Sequence, residues 1–234
     1  MQIFRSDLSR CAELTGAVVV IDVLRSFTTA AHALAQGADE VVAVDSLDAA
    51  LALRAHDPGA LAIGALGGGA PAPGLDLGNS PSQLAGLDLR GRSCILYTAG
   101  GTRALNACGH ADIVMAASLV CASATAARLR ALAPATVTLV VTGVWSDRDG
   151  DEDHACADLI DALLRGDDPP REPFAARVRA SDFGRRFSAG DNPYLPPADL
   201  DCCAAVDRFD FALPIRRRPG GGMVIRRTHG AVGR

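Results

Sequence analysis

Four short stretches of this chain carry carboxylates, hydroxyls and cations in combinations that suit phosphate chemistry. The first holds Asp22, Arg25, Ser26, Thr28 and Thr29, and the second holds Asp76, Asn79 and Ser80. The third runs Thr98, Gly100, Gly101, Thr102, Arg103, and the fourth follows Thr142 and Gly143 with Asp147, Asp149, Asp151, Glu152 and Asp153. Carboxylates are hard oxygen donors of the kind that select Mg²⁺, which takes one or two of them and keeps several waters. Exposed N–H groups at a helix start, aided by the helix dipole, favour an anion. Arg25 can add a bidentate contact to phosphate or sulfonate. A metal held here would withdraw charge from a phosphoryl oxygen and keep the group in line for displacement.

Plainer roles stay open for each group. Asp22 could simply cap the helix that starts near Arg25, and Ser26, Thr28 and Thr29 are ordinary helix-start residues. The run from Asp147 to Asp153 contains an Asp149-Gly150 turn, and acidic residues favour a first helical turn anyway. The triple glycine at 67–69 lacks the lysine and hydroxyl of a phosphate-binding P-loop, and no G-x-G-x-x-G follows the first strand. Five histidines are scattered without ligand spacing, so zinc is not expected.

The elements that must position these residues alternate along the chain. Residues 17–23 form a valine-rich run, apolar but for Asp22, as expected for a strand buried on both faces. A helix is predicted over 26–36, ending at Gly37 as a C-terminal glycine. Strand 41–44, a helix over 46–56 capped by Ser46, and strand 60–63 follow. Further strands are predicted at 93–97, 112–115 and 136–141, with helices at 101–108, 123–132 and 154–165. Such alternation implies a largely parallel sheet covered on both faces, whose ligand site lies beyond the carboxyl ends of the strands. The four stretches named above all fall at such ends. The glycine- and proline-rich segment 64–81 breaks the rhythm as a long loop, and long loops in compact domains are often functional. A main body over 1–165, a connector at 166–173 and a C-terminal part over 174–234 make one domain. Its close is predicted as two short strands, 209–213 and 223–227, around a Pro-Gly-Gly-Gly turn.

Bulk composition narrows the class. A 234-residue chain, 49% hydrophobic and 21% charged, buries a proper core. Its net charge of −4 offers no footprint for nucleic acid, which needs a basic face. No apolar run is long enough to span a bilayer, so no membrane is involved, and no signal peptide is expected at the N-terminus. Seven cysteines, an odd number without metal-ligand spacing, suit a reducing cytoplasm.

Four blocks resemble the 2-phosphosulfolactate phosphatase family, Mg²⁺-dependent acid phosphatases of coenzyme M biosynthesis. Val19-Val20-Ile21-Asp22-Val23-Leu24-Arg25-Ser26-Phe27-Thr28-Thr29 resembles VVIDVLRATTT, and Gly74-Leu75-Asp76-Leu77-Gly78-Asn79-Ser80-Pro81 resembles GFDLGNSP. Residues 98–105 resemble TTNGTRAL, and Glu152-Asp153-His154-Ala155-Cys156-Ala157 resembles EDxxCAG. The segment Phe209-Asp210-Phe211-Ala212-Leu213-Pro214 falls where the family closes its fold. The resemblance implies a three-layer α/β/α sandwich with a mainly parallel, mixed sheet, a homo-oligomer, Mg²⁺, and hydrolysis of a small anionic phosphate ester. By matching position it carries over Asp22, Arg25, Asp76, Asn79, Ser80, Thr102, Arg103, Glu152 and Asp153. On this reading Asp22 and Asp153 are catalytic, and Asp22, Asp76, Glu152 and Asp153 hold the metal. Arg25, Ser26, Asn79, Ser80, Thr98, Gly101, Thr102 and Arg103 bind substrate.

Three departures accompany the likeness. The family's Gly-Glu-Arg becomes Gly64-Ala65-Leu66, its TNG becomes Ala99-Gly100-Gly101, and its SLLNA becomes Ser118-Leu119-Val120-Cys121-Ala122. All three are expected at the carboxyl edge of the sheet. A site that has lost an acid, a cation and two amides would discriminate its substrate differently. The alternative is therefore a non-catalytic, anion-binding relative with a regulatory role.

Overall fold

The computed structural model describes residues 1–66 and 69–229; Gly67 and Gly68 of the triple glycine lie outside the described residues. Among the described residues, ten strands form one mixed sheet. Strands β1 (Gln2–Asp7), β2 (Ala17–Ile21), β3 (Glu40–Val44), β4 (Leu61–Gly64) and β5 (Ser93–Tyr97) come first. They are followed by β6 (Ile113–Ala117), β7 (Thr136–Val141), β8 (Phe211–Arg217), β9 (Met223–Ile225) and the short β10 (Thr228–His229). The order across the sheet is β1-β7-β2-β6-β8-β9-β3-β5-β4, with β10 pairing β8. Strands β1, β7, β2 and β6 run parallel, as do β3, β5 and β4. Between these halves sits the C-terminal hairpin, antiparallel to β6 on one side and to β3 on the other.

Helices cover the sheet to complete the three-layer sandwich: α1 (Ser26–Ala35), α2 (Leu47–His56), α3 (Gly101–Cys108), α4 (Ala122–Leu132) and α5 (Asp151–Arg165). The chain then adds α6 (Glu172–Ala180), α7 (Asp182–Ala189) and α8 (Pro197–Cys203). β2 shows why its valine run is apolar throughout. Ala17, Val19 and Ile21 pack into the core beneath α4 and α5, while Val18 and Val20 pack into the core containing α1 and α3. Successive side chains of a strand point to opposite faces, so a strand covered on both sides must be apolar at every position.

Local signals hold at several boundaries. Ser46 accepts the Ala49 amide at the start of α2, and Gly37 takes a left-handed φ of 100° just past α1. Other boundaries differ from expectation. α5 begins at Asp151 rather than three residues later, because its acidic run is the helix's own first turn. The closing strands sit at Phe211–Arg217 and Met223–Ile225. Strand β1 and helices α6–α8 were not predicted. β1 is an edge strand with Phe4 half exposed, so it shows no apolar run. Residues 72–77 fold back along β4, the Gly64 amide donating to the Leu77 carbonyl and the Leu77 amide to the Ala62 carbonyl.

Candidate active site

Strands β2, β4, β5 and β7 deliver their carboxyl ends to one cleft of about 660 Å³. Asp22, Leu24, Arg25 and Ser26 line it from β2, Thr98, Ala99 and Gly100 from β5, and Thr142 and Gly143 from β7. Glu152 and Asp153 enter from the first turn of α5. The segment around α7 forms the opposite wall through Phe183, Arg185, Arg186 and Leu195.

Asp22 is both a helix cap and a cleft residue. Its Oδ1 accepts the Ser26 amide at 2.9 Å, and its Oδ2 accepts the Ser26 hydroxyl at 2.6 Å and the Gly101 amide at 2.9 Å. The carboxylate is thereby fixed between the N-termini of α1 and α3. Gly101 has to be glycine: a Cβ there would stand 2.6 Å from Asp22 Oδ2. Asp153 ties two strand ends together. Its Oδ1 accepts the Val23 amide at 2.8 Å, and its Oδ2 accepts the amides of Thr142 and Gly143 at 2.9 and 2.8 Å.

Glu152 differs from both. It is buried, yet its Oε2 has no hydrogen-bond partner. Burial pushes its carboxyl up to about 7, and the Asp22 charge adds to this. The Glu152 amide, the Ser181 hydroxyl and the Arg148 guanidinium pull the other way. Burial likewise pushes Asp153 well above the carboxylate range, and the charges of Glu152 and Asp22 reinforce it against the amides of Val23 and Thr142. Glu152 and Asp153, buried side by side next to the Asp22 charge, resist ionising together without a counter-cation. Gly143 leaves the room, since a Cβ there would sit 2.6 Å from Glu152 Oε1.

The donors suit a sparsely ligated Mg²⁺. Among the described residues no three His, Cys, Asp or Glu side chains form a ready metal cage. Mg²⁺ needs fewer, commonly one or two carboxylates with waters and substrate oxygens completing the shell. The orphaned Glu152 Oε2 is the atom that would be free to ligate such an ion, with the Asp22 and Asp153 carboxyls beside it.

Not every expected residue reaches the cleft. Asp76 is a correction: it accepts the Ala62 amide at 2.8 Å and pairs with Arg54 at 3.1 Å, on the far side of the folded-back loop. Burial opposes it, but that amide and the Arg54 guanidinium still hold its carboxyl below the ordinary range. Its task is to bind the loop to β4. Thr102 faces the wrong way for substrate. It receives the Thr98 amide and donates to the Thr98 carbonyl, bracing the β5–α3 turn. Arg103 is exposed on α3 and does not line the cleft. The Gly101 amide serves Asp22 rather than an incoming anion. Ser80 stands one layer back, donating to Asp199 at 2.8 Å, whereas Asn79 lines the cleft with its side-chain oxygen buried and unpartnered. Of the departures, Ala65, Leu66, Ala99 and Gly100 do line the cleft. Cys121 does not: it is fully buried in the core, its thiol directed to the Ser118 carbonyl.

The sequence reading missed several residues. Asp199 on α8 is completely buried and accepts from Arg25, Ser80 and the Ser82 amide. Arg25 also donates to the Tyr194 carbonyl and lies over the Phe187 ring. Arg148, Arg185 and Arg186 add three cations to the lining. Arg185 is paired with Asp182 and Arg186 with Asp147. The adjacent pair Arg185-Arg186, on a short helix that buries Phe183 and Phe187, was the available signal.

Comparison with known proteins identifies the family. The 2-phosphosulpholactate phosphatase family profile matches residues 3–185. A protein from Synechococcus sp. (strain RCC307), named probable 2-phosphosulfolactate phosphatase, is 34% identical over 88% of this chain and 91% of its own length. One of the same name from Bacillus subtilis (strain 168) is 29% identical, covering 85% of this chain and 86% of itself. A third, from Synechocystis sp., is 40% identical over 68% of this chain and 66% of its own. The blocks at Asp22 and Glu152 thus meet in space as well as in order, and the chain belongs to the 2-phosphosulfolactate phosphatase family.

Proposed function

We propose that the chain is a Mg²⁺-dependent phosphatase that hydrolyses 2-phosphosulfolactate or a closely related phosphorylated hydroxy acid. The observation that carries this reading is the buried, unpartnered Oε2 of Glu152 beside Asp22 and Asp153. Family membership supplies the substrate class. Water adds across the bond between phosphorus and the ester oxygen, releasing inorganic phosphate and the hydroxy acid.

Glu152 would hold the ion directly, with Asp22 and Asp153 supplying charge around it; bound Mg²⁺ would neutralise developing charge on the phosphoryl oxygens. The chain's own residues do the rest. Asp22, fixed by three donors, keeps one geometry through turnover, which preserves the orientation on which rate depends. Arg25 presents a cation whose position is set by Asp199. Ser26 opens α1 at the cleft, and the positive end of that helix holds the Asp22 carboxylate in place. Leu24, Leu195 and Phe183 on the lining exclude water and strengthen these interactions. The seven cysteines are free thiols, in keeping with a reducing cytoplasm, and no described helix is long and apolar enough to cross a membrane.

Ala65 and Leu66 on the lining favour a second reading, a binding protein without turnover. The two separate cleanly. Phosphate release from 2-phosphosulfolactate and a panel of phosphorylated hydroxy acids, with Mg²⁺ or with a chelator, should show metal-stimulated turnover. Thermal stabilisation by these esters without release of phosphate would favour the binding protein.

A further inference from the structure

Arg148 is a cation with no carboxylate. Among the described residues it makes no ion pair, and its Nε is buried without a hydrogen-bond partner. The acids nearest in sequence are engaged elsewhere. Asp147 pairs with Arg186, Asp149 accepts the amides of Asp151 and Asp182, and Asp151 pairs with Arg177. Arg148 is also held stiffly. Its guanidinium lies 4.4 Å from the Phe183 ring centroid and 5.3 Å from that of Trp145. Trp145 is itself anchored by its indole N–H to the Thr142 carbonyl at 3.1 Å.

The cleft therefore holds two orphaned groups of opposite sign. Glu152 and Arg148 both line it, both keep a buried polar atom unsatisfied, and no ion pair joins them. A purely structural pair would close up, because leaving a buried polar atom unsatisfied on either group is costly. The cleft cation from the β2 end, Arg25, is by contrast held in an ion pair with Asp199. A guanidinium lying against two aromatic rings and held in no ion pair suits a planar or trigonal oxyanion.

We propose that Arg148 binds the second anionic group of the substrate, its sulfonate or carboxylate, and so sets specificity for phosphate esters that carry an acid tail. This rests on the phosphatase reading of the cleft. Arg148 takes no part in the bond change. It replaces from the α5 side a cation that Leu66 does not provide.

The test is steady-state hydrolysis by wild type, R148M and R148K of four esters. These are 2-phosphosulfolactate, 2-phospholactate (carboxylate only), 2-phosphoethanesulfonate (sulfonate only) and phenyl phosphate (neither). R148M keeps the stem packed on Phe183 and Trp145, and its thermal unfolding is measured alongside. The expected result is a KM raised about tenfold or more for 2-phosphosulfolactate, with kcat little changed and phenyl phosphate unaffected. R148K should fall between, and the two single-acid esters identify which anion Arg148 reads. Equal losses on all esters, phenyl phosphate included, or no change on any, overturn the proposal. If wild type hydrolyses none of them, the phosphatase reading fails, and calorimetry with 3-sulfolactate decides the role of Arg148. Binding to wild type that weakens about tenfold in R148M supports it; equal binding, or none to wild type, overturns it.

Discussion

Arg25 Nη1 donates to Asp199 Oδ2 at 2.6 Å, and both side chains are almost wholly removed from solvent. This pair fastens the loop after β2 to α8, so the cleft's two walls are joined by one buried charge contact. Removing one partner leaves an uncompensated charge in a dry site, whereas replacing both with apolar groups can be close to neutral.

Asp199→Ala should therefore destabilise the protein by about 3–5 kcal/mol in chemical denaturation. The double variant R25M/D199L should recover most of that stability and still fail to release phosphate. A double variant with wild-type activity would remove Arg25 from the substrate site.

Two glycines touch the site carboxylates. G101A and G143A place a Cβ 2.6 Å from Asp22 Oδ2 and from Glu152 Oε1, respectively. Each should cost about 1–3 kcal/mol in stability through local overpacking and reduce kcat by roughly a hundredfold through displaced carboxylates. G59A, which meets only Asp57 Oδ1 at an ordinary 3.4 Å, is the control expected to behave as wild type.

Glu152 gives a pH signature in metal-free protein. Its folded carboxyl is raised from 4.5 to about 7, so the folded state binds the proton more tightly than the unfolded chain. The resulting stability is complete below 4.5 and is lost as pH rises through about 7. In chelator, the melting temperature of wild type should drop between pH 5 and pH 8 more than that of E152Q. Adding Mg²⁺ should restore wild type at pH 8 and leave E152Q unmoved.

His32 acts in the opposite sense. Burial lowers it from 6.5 to about 4, and the Arg208 cation assists while Asp199 opposes. The ring stands edge-on to Phe209, with its Nε2 unpartnered. The unfolded chain takes up this proton first, so stability is full above 6.5 and is lost as pH falls toward about 4. H32F should flatten that acid limb in denaturation curves measured between pH 7 and pH 4.

The sequence makes the parallel core and the carboxylate corner legible, because both are written locally. β2 is a continuous apolar run ending in Asp22, and Glu152-Asp153 open an amphipathic helix. Asp76 misled because it shares a block with Asn79 and Ser80, although the loop turns it outward to Arg54. Asp199 is invisible at that level: its partner Arg25 lies 174 positions away, and nothing near it in sequence signals burial. The position of the β8–β9 hairpin between the two parallel halves is likewise a matter of strand order, which local pattern does not encode. Helices α6–α8 are short, and much of their surface is exposed and charged, so each offers only two or three buried apolar residues as a signal.

The most direct measurement is Mg²⁺-dependent phosphate release from 2-phosphosulfolactate by wild type, E152Q and D76N side by side. Wild type should turn over, E152Q should lose about a hundredfold or more in kcat, and D76N should stay within about threefold of wild type. Full activity in E152Q, or loss in D76N matching that in E152Q without loss of stability, would contradict a catalytic centre at the Asp22–Glu152–Asp153 corner.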